Sequence, residues 1–246
     1  IFSRIPIGLN AHCISIECHI APGLPGTTIV RLAEGAVKES RDRVKSALRN
    51  NGFNYPNGHV IINLAPGNLA KSGTGFDLPI ALAILQASGQ VNIPNRENTE
   101  FIGELGLFGE LRPINGILTC ALASSKASKR LVMPAQNEQE ASLVKDGDLL
   151  VAPNLSELIK HLSANEPNDV RCPAPQRSAV SPVQQSTYGQ IIGQLGAKKG
   201  LLVAAAGGHH LIMLGPPGAG KTMLARSFID LLPTLSDQSS LEVATI

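Results

Sequence analysis

The chain has 246 residues and carries 21 Lys and Arg against 19 Asp and Glu, a formal net charge of +2. Charged residues make up 16% of it, where an ordinary soluble domain has about 25%; with 24 Gly, 17 Pro and 3% aromatics it is a low-charge, aliphatic, turn-rich sequence. Residues 1–165 hold 15 basic and 14 acidic side chains and residues 166–246 hold 6 and 5, so neither part is a basic nucleic-acid footprint of the usual kind, and eight aromatics with no Trp argue against a base-stacking platform.

In chain order, residues 13–20 alternate, with Ile14, Ile16, Cys18 and Ile20 on one face, and read as a half-buried strand. Residues 27–32 and the β-branched stretch 59–64 predict two more strands, with a helix between them from about 34 to 50. Helical periodicity follows at 78–88, 116–128, 137–144 and 155–163, while 101–105 and 107–113, divided at Gly106, predict a hairpin. Strands interleaved with helices imply an α/β or α+β domain over residues 1–165. Across 166–187 the periodicity gives way to Pro167, Pro173, Pro175 and Pro182 amid Ser, Gln and Asn, the composition of an extended linker. Residues 188–246 open a second domain with a helical stretch 197–206, a buried strand 210–214, a glycine turn, and a helix from Lys221 to about Leu232 stopped by Pro233.

The longest apolar stretch, 201–214, is broken by Gly207, Gly208, His209 and His210, short of the roughly 18 residues a membrane helix requires. No secretory signal pattern is present at the N-terminus, and Cys13, Cys18, Cys120 and Cys172 form no C-x-x-C, so the expectation is a cytoplasmic protein with reduced thiols. A first residue that is Ile rather than Met, and a last one soon after a motif that opens domains, are expected of a piece of a longer protein.

That motif is Gly215, Pro216, Pro217, Gly218, Ala219, Gly220, Lys221 and Thr222, which fits G-x-x-x-x-G-K-[ST]. Glycines let backbone N–H groups turn inward around phosphates, and the helix beginning near Lys221 would aim its positive end at them. The pattern makes Lys221 the cation for the β- and γ-phosphates of ATP and Thr222 the ligand of Mg²⁺. An apolar strand before the loop, and Leu224, Phe228 and Leu231 on the helix after it, are the context such a loop needs. Hydrolysis also needs an acidic residue at the end of a later strand. Only 24 residues follow Thr222 and none reads as such a strand, so this chain is expected to bind nucleotide without turning it over.

From Tyr188, Gly189 and Gln190 through the segment 204–214 and into GPPGAGKTMLAR, the second domain resembles the AAA+ module of the ComM/YifB family of magnesium-chelatase-like bacterial proteins. The first domain is similar to the same family at 23–26 (GLPG), 37–44 (VKESRDRV), 63–66 (NLAP) and 75–81 (GFDLPIA). The resemblance implies a Lon-protease-like α+β domain followed by the start of a P-loop AAA+ domain, in proteins that run on for about as long again. It further implies a homohexameric motor that uses ATP to promote branch migration of branched or single-stranded DNA intermediates in natural transformation, with Ile191, Ile192 and Gly193 lining the adenine site. Gly196 and Gly200 weaken the helix that follows by about 1 kcal/mol each.

A Lon-like fold raises proteolysis as a second class of function. Lon places its nucleophilic Ser four residues after the Lys of PKDGPSAG and its base at the first Lys of PIGGLKEK. The matching stretches here put Gly75 and Leu118 at those positions, and neither can attack a carbonyl or accept a proton. Lys71 and Ser72 are adjacent, so their side chains point apart in extended structure. Asp77 is expected to cap the helix that follows, with Pro79 in its first turn and Leu78, Ile80, Leu82, Ile84 and Leu85 making it central to the core.

His12, Cys13, Cys18 and His19 suggest a metal constellation, but positions 13 and 18 differ in parity and face opposite sides of a strand. Lys38, Arg41, Arg43, Lys45 and Arg49 share a helix with Glu34, Glu39 and Asp42, its apolar stripe being Val37, Val44 and Leu48; the bland reading is a solvated, ion-paired face, the sharper one a DNA or subunit contact. His209 and His210 are expected to pack structurally, and Lys198 and Lys199 to be solvated. The competing overall readings are an AAA+ DNA motor, a magnesium-chelatase-like ATPase chaperone subunit, and a binding module alone.

Overall fold

Alternation along residues 10–21 builds the centre of a sheet: Ile14 and Ile16 are fully buried on one face while Glu17 and His19 project into solvent. A computed structural model describes residues 1–30, 35–69, 71, 73–163 and 187–245. Contacts divide the chain into two compact units, Ile1–Pro175 with Leu241–Ile246, and Gln176–Ser240. The expected linker at 166–187 lies, apart from Thr187, outside the described residues.

The first unit runs β1 (Phe2–Ile7), β2 (Asn10–Ala21), β3 (Gly26–Val30), α1 (Gly35–Asn50), β4 (His59–Ala65), α2 (Asp77–Ala87), β5 (Thr99–Phe101), β6 (Glu104–Leu105), β7 (Leu111–Arg112), α3 (Ile117–Lys126), β8 (Arg130–Pro134), α4 (Glu138–Ala141), β9 (Leu149–Ala152) and α5 (Leu155–Ser163). Seven strands form one sheet in the order β3-β4-β2-β1-β5-β8-β9. Only β2 runs against its neighbours; the β3–β4, β1–β5, β5–β8 and β8–β9 pairs are parallel. Expected strands at 13–20, 27–32 and 59–64 correspond to β2, β3 and β4, residues 31 and 32 of the second lying outside the described residues. The expected hairpin is shorter: β6 pairs with β7 as a separate two-stranded ribbon, and Phe101 belongs to β5 of the main sheet.

Two apolar layers flank the sheet. On one face Ile14, Ile16, Ile62 and Leu64 pack with α2, whose Leu78, Ile80, Leu82, Ile84 and Leu85 are all buried, and with Val44 and Leu48 of α1. A second cluster holds Ile117, Leu118 and Cys120 of α3 against Ile102, Leu131 and Met133. An α2 helix apolar on all sides is what a helix enclosed by core requires.

The second unit contains α6 (Thr187–Gln190), α7 (Leu195–Gly207) and α8 (Lys221–Ser227), the last tightening into a 3₁₀ turn at Phe228–Leu231; α9 (Asp237–Ala244) follows. The expected strand at 210–214 does not form. This segment has no regular structure, and Leu211, Ile212 and Leu214 are 41%, 86% and 92% exposed. A strand is held by a hydrogen-bonded neighbour, and the described residues of this unit contain no other strand to supply one. No helix among the described residues is long and apolar enough to cross a membrane.

Candidate functional site

The glycine loop sits between α7 and α8. Gly218 and Gly220 both have φ of +82°, a conformation that costs side-chain-bearing residues energy, so glycine at these positions is a backbone requirement. The Lys221 ammonium folds back over the loop, donating to the carbonyls of Gly215 and Pro216 at 2.8 Å each. Thr222 is exposed beside it. Behind the loop, Leu224 of α8 is buried with Ile191 and Leu201, and Tyr188, Met213, Phe228 and Leu231 pack around them. The helical face inferred from 224, 228 and 231 is therefore the one that carries the unit's small core.

Of the three residues assigned to the adenine side, Ile191 is buried in that core, Ile192 is 96% exposed, and Gly193 turns the chain at φ +75°. Lys198 is not a solvated residue as its sequence context suggested. Its ammonium donates to the Ile191 carbonyl at 2.8 Å and lies 4.8 Å from the centre of the Tyr188 ring, whose hydroxyl donates to the Lys198 carbonyl. The Tyr188 N–H in turn reaches the Asp230 carboxylate at 3.2 Å. Lys198, the fourth residue of α7, finds both partners because the preceding turn folds back over it. His209 and His210 are exposed rather than enclosed: with Gly196, Lys199 and Gly200 they line a cavity of about 460 Å³, and the His209 ring lies directly over Gly207.

In the first unit the positions where Lon carries its dyad are apolar. A Cβ on Gly75 would stand 3.3 Å from Cγ1 of Ile102 and 3.8 Å from Cδ1 of Ile114, and Leu118 is 1% exposed within the α3 cluster. Lys71 is fully buried and donates to the carbonyls of Pro66 and Leu69; Ser72 lies outside the described residues.

Asp77 does not cap α2. Phe76 occupies the cap position with helical dihedrals and no side-chain bond, and Asp77 is already within the helix. Its wholly buried carboxylate instead accepts two hydrogen bonds from Arg43 of α1, at 2.8 and 3.1 Å, and one from the Leu105 N–H at 3.2 Å. Burial pushes the Asp77 carboxyl above its ordinary range, while Arg43 and Leu105 pull the other way. Arg43 therefore keeps the expected surface pairing only loosely, with Glu39 at 4.0 Å, and commits its guanidinium to the buried Asp77, a correction sequence spacing could not reveal because these partners lie 34 positions apart. Arg41 does behave as a surface residue, paired side by side with Asp42 at 3.0 and 3.2 Å. The side chain of Lys38 lies outside the described residues.

Sequence reasoning also missed a buried network around Glu100. Ser124 and Arg4 both donate to its Oε2 at 2.5 Å, Arg4 also donates to Ser124, and Lys129 stands 3.9 Å from Oε1. This ties β1, β5 and α3 together. No local signal marked it, because residues 2–7 show neither the alternation nor the apolar run that would have identified β1. Cys13, opposite Arg4 in the β1–β2 ladder, has its thiol pushed up by burial and by Glu100. Cys13 is exposed and Cys18 shares the Ile14 face, so the two do not converge, and no cluster of three or more metal-ligating side chains occurs among the described residues.

Comparison with known proteins matches residues 16–137 to the family described as subunit ChlI of Mg-chelatase, and residues 187–246 to magnesium chelatase, subunit ChlI. Competence protein ComM of Haemophilus influenzae is 42% identical over 248 residues, covering 100% of this chain and 49% of that protein. The YifB protein of Escherichia coli K12 is 42% identical over 246 residues, covering 100% and 48%. The Lon protease of Bacillus thuringiensis is 24% identical over 161 residues, 60% of this chain and 20% of that enzyme. The chain spans about half the length of the ComM and YifB proteins it matches. With a mixed α/β first unit similar to Lon and a glycine loop opening a second, AAA+ unit, the chain belongs to the ComM/YifB family of magnesium-chelatase-like proteins.

Proposed function

We propose that this chain supplies the nucleotide-binding loop and a non-proteolytic Lon-like domain of a ring-forming, ATP-driven motor that acts on branched or single-stranded DNA in recombination and natural transformation. In this reading residues 1–165 are the Lon-like domain, 166–187 the linker and 188–246 the start of the AAA+ domain, and six copies form the ring. The observation that carries it is the Lys221 ammonium, held over its own loop by two carbonyl oxygens that stand where phosphate oxygens would compete for it. The whole-chain similarity to a protein named for competence supports the transformation part of the reading, and the DNA part follows the family resemblance of the sequence.

Residues 215–220 would wrap backbone N–H groups around the phosphates, Lys221 would exchange the Gly215 and Pro216 carbonyls for the β- and γ-phosphates, and the Thr222 hydroxyl would reach Mg²⁺. When bound, Mg²⁺ offsets the charge of the phosphates. Ile191, Ile192 and Gly193 would flank the adenine, their turn fixed by Lys198 and Tyr188. The carboxylates after Thr222 are Asp230, Asp237 and Glu242, none on a strand among the described residues, so the chain binds nucleotide without steady turnover.

A magnesium-chelatase-like chaperone subunit is the second reading, favoured by the descriptions of both matching families. The Lon-like first domain counts against it, and Gly75 and Leu118 count against a protease. The test is ATP-driven strand exchange on a four-way DNA junction by the whole protein. Junction conversion that needs ATP supports the motor; ATP hydrolysis with no effect on any junction sinks it in favour of the chaperone.

A further inference from the structure

Arg41, Lys45 and Arg49 recur every four residues along α1, which places them within an arc of about 80° and about 6 Å apart along the helix axis. They border an open polar cleft of about 240 Å³ that is closed on its other sides by residues 25–27 and 55–57. Arg41 is offset by Asp42. Lys45 has the Tyr55 ring 5.5 Å beneath its ammonium, and neither Lys45 nor Arg49 has a carboxylate within ion-pair distance among the described residues. Hydroxyl and amide groups complete the wall: Thr27 and Tyr55, hydrogen-bonded to each other at 2.7 Å, and Asn57.

We infer that this cleft binds the phosphodiester backbone of a nucleic-acid strand, with Lys45 and Arg49 on separate phosphates and Thr27, Tyr55 and Asn57 contacting phosphate and sugar. The inference deepens the DNA-acting role proposed above and rests on it. Two features favour a strand over a single phosphate ion. The cations are strung along about 12 Å of helix instead of converging on one point. Apart from Asp42, whose carboxylate is taken up by Arg41, the polar lining combines Lys, Arg, Thr, Tyr and Asn, the side chains that make most phosphate and sugar contacts in nucleic-acid complexes. Composition argued against a basic footprint because charge was averaged over the chain; the fold places Lys45 and Arg49 on one helical face with no ion-pair partner among the described residues and sends Arg43 inward.

The test is fluorescence anisotropy of a labelled thirty-nucleotide single strand with the 246-residue chain, without ATP, across 50 to 200 mM salt. Two phosphate contacts give a salt slope of about −1.4, an affinity loss of about sevenfold over that range. The double variant Lys45→Gln with Arg49→Gln should bind weakly with a slope near zero, while Lys45→Arg with Arg49→Lys keeps both affinity and slope. Circular dichroism of each variant checks that the fold persists, and Lys221→Ala should leave strand binding untouched. An unchanged slope in the double Gln variant overturns the site while leaving a DNA-acting protein in place. Absence of strand binding by the wild-type chain also overturns it, and the junction assay on the whole protein then decides the motor reading separately. In the Lys221→Ala background, which removes the phosphate loop's own cation, tripolyphosphate or a poly-glutamate peptide that displaces the oligonucleotide as effectively as unlabelled strand overturns the strand assignment in favour of a small anion or an acidic protein segment.

Discussion

Replacing Arg43 by alanine isolates one buried ion pair of the first unit. The Asp77 carboxylate is 0% exposed, and Arg43, with its side chain 20% exposed, supplies two of its hydrogen bonds; the substitution removes both, leaving the Leu105 N–H at 3.2 Å and the Ser40 hydroxyl beside it. Removing one partner of a buried pair costs about 3–5 kcal/mol, and the partial exposure of Arg43 lets water in and places this site near 3 kcal/mol. For a chain of this size that corresponds to a fall in Tm of roughly 6–12 °C by differential scanning calorimetry. The pH dependence has a definite sign. Burial raises the Asp77 carboxyl above its unfolded value of 3.8, so the folded state binds its proton more readily than the unfolded chain does. Its contribution is fully present below 3.8 and is lost as pH rises through the raised value. A neutral carboxyl needs no guanidinium, so the Arg43→Ala deficit should shrink on going from pH 7 to pH 4. Arg41→Ala, at an exposed pair, should leave Tm unchanged. Equal Tm values for the two variants at pH 7, or a deficit that grows on acidification, would refute the reasoning.

Four other outcomes follow from the same structure. Gly75→Ser forces a Cβ to 3.3 Å from Ile102 and should lower stability by about 1 kcal/mol while producing no casein hydrolysis; peptidase activity would reverse the account of the Lon-like domain. Cys120, buried with its thiol pushed up to about 12, should resist a thiol reagent at pH 8 until the protein unfolds, whereas exposed Cys13 reacts in the native state; mass spectrometry of labelled peptides tells them apart. Cys18, pushed up to about 11, should react more slowly than Cys13. Lys198→Met removes a charged hydrogen bond and a ring contact and should raise amide exchange at the start of α7 about tenfold, a change of roughly 1.4 kcal/mol; unchanged exchange would mean the clasp does not hold the turn.

What could be read in the sequence was whatever is encoded over a few neighbouring residues. The alternation of Ile14, Ile16 and Cys18 marks β2, the spacing of Leu155, Leu158 and Ile159 marks α5 with its observed bounds, and eight consecutive residues mark the glycine loop. The strands β1, β8 and β9 carried no such mark. They are short and lie within a sheet covered on both faces there, so β8 and β9 lack alternation, and β1 buries the polar Ser3 and Arg4. The apolar stretch 210–214 misled in the opposite direction, because its composition suits a strand but strand formation depends on a neighbour. Charge pairing was the least legible: Arg43 with Asp77 and Arg4 with Glu100 join residues 34 and 96 positions apart, and only the fold brings them together.

The central claim is that residues 215–222 take the phosphates of ATP through Lys221. Titration of the 246-residue chain with a fluorescent ATP analogue and Mg²⁺ tests it most directly. The account predicts saturable binding at one site per chain, weakened at least about tenfold by Lys221→Ala, the scale of one charge-assisted hydrogen bond of about 1.5–3 kcal/mol. Equal affinity in the wild type and the Lys221→Ala variant would contradict it.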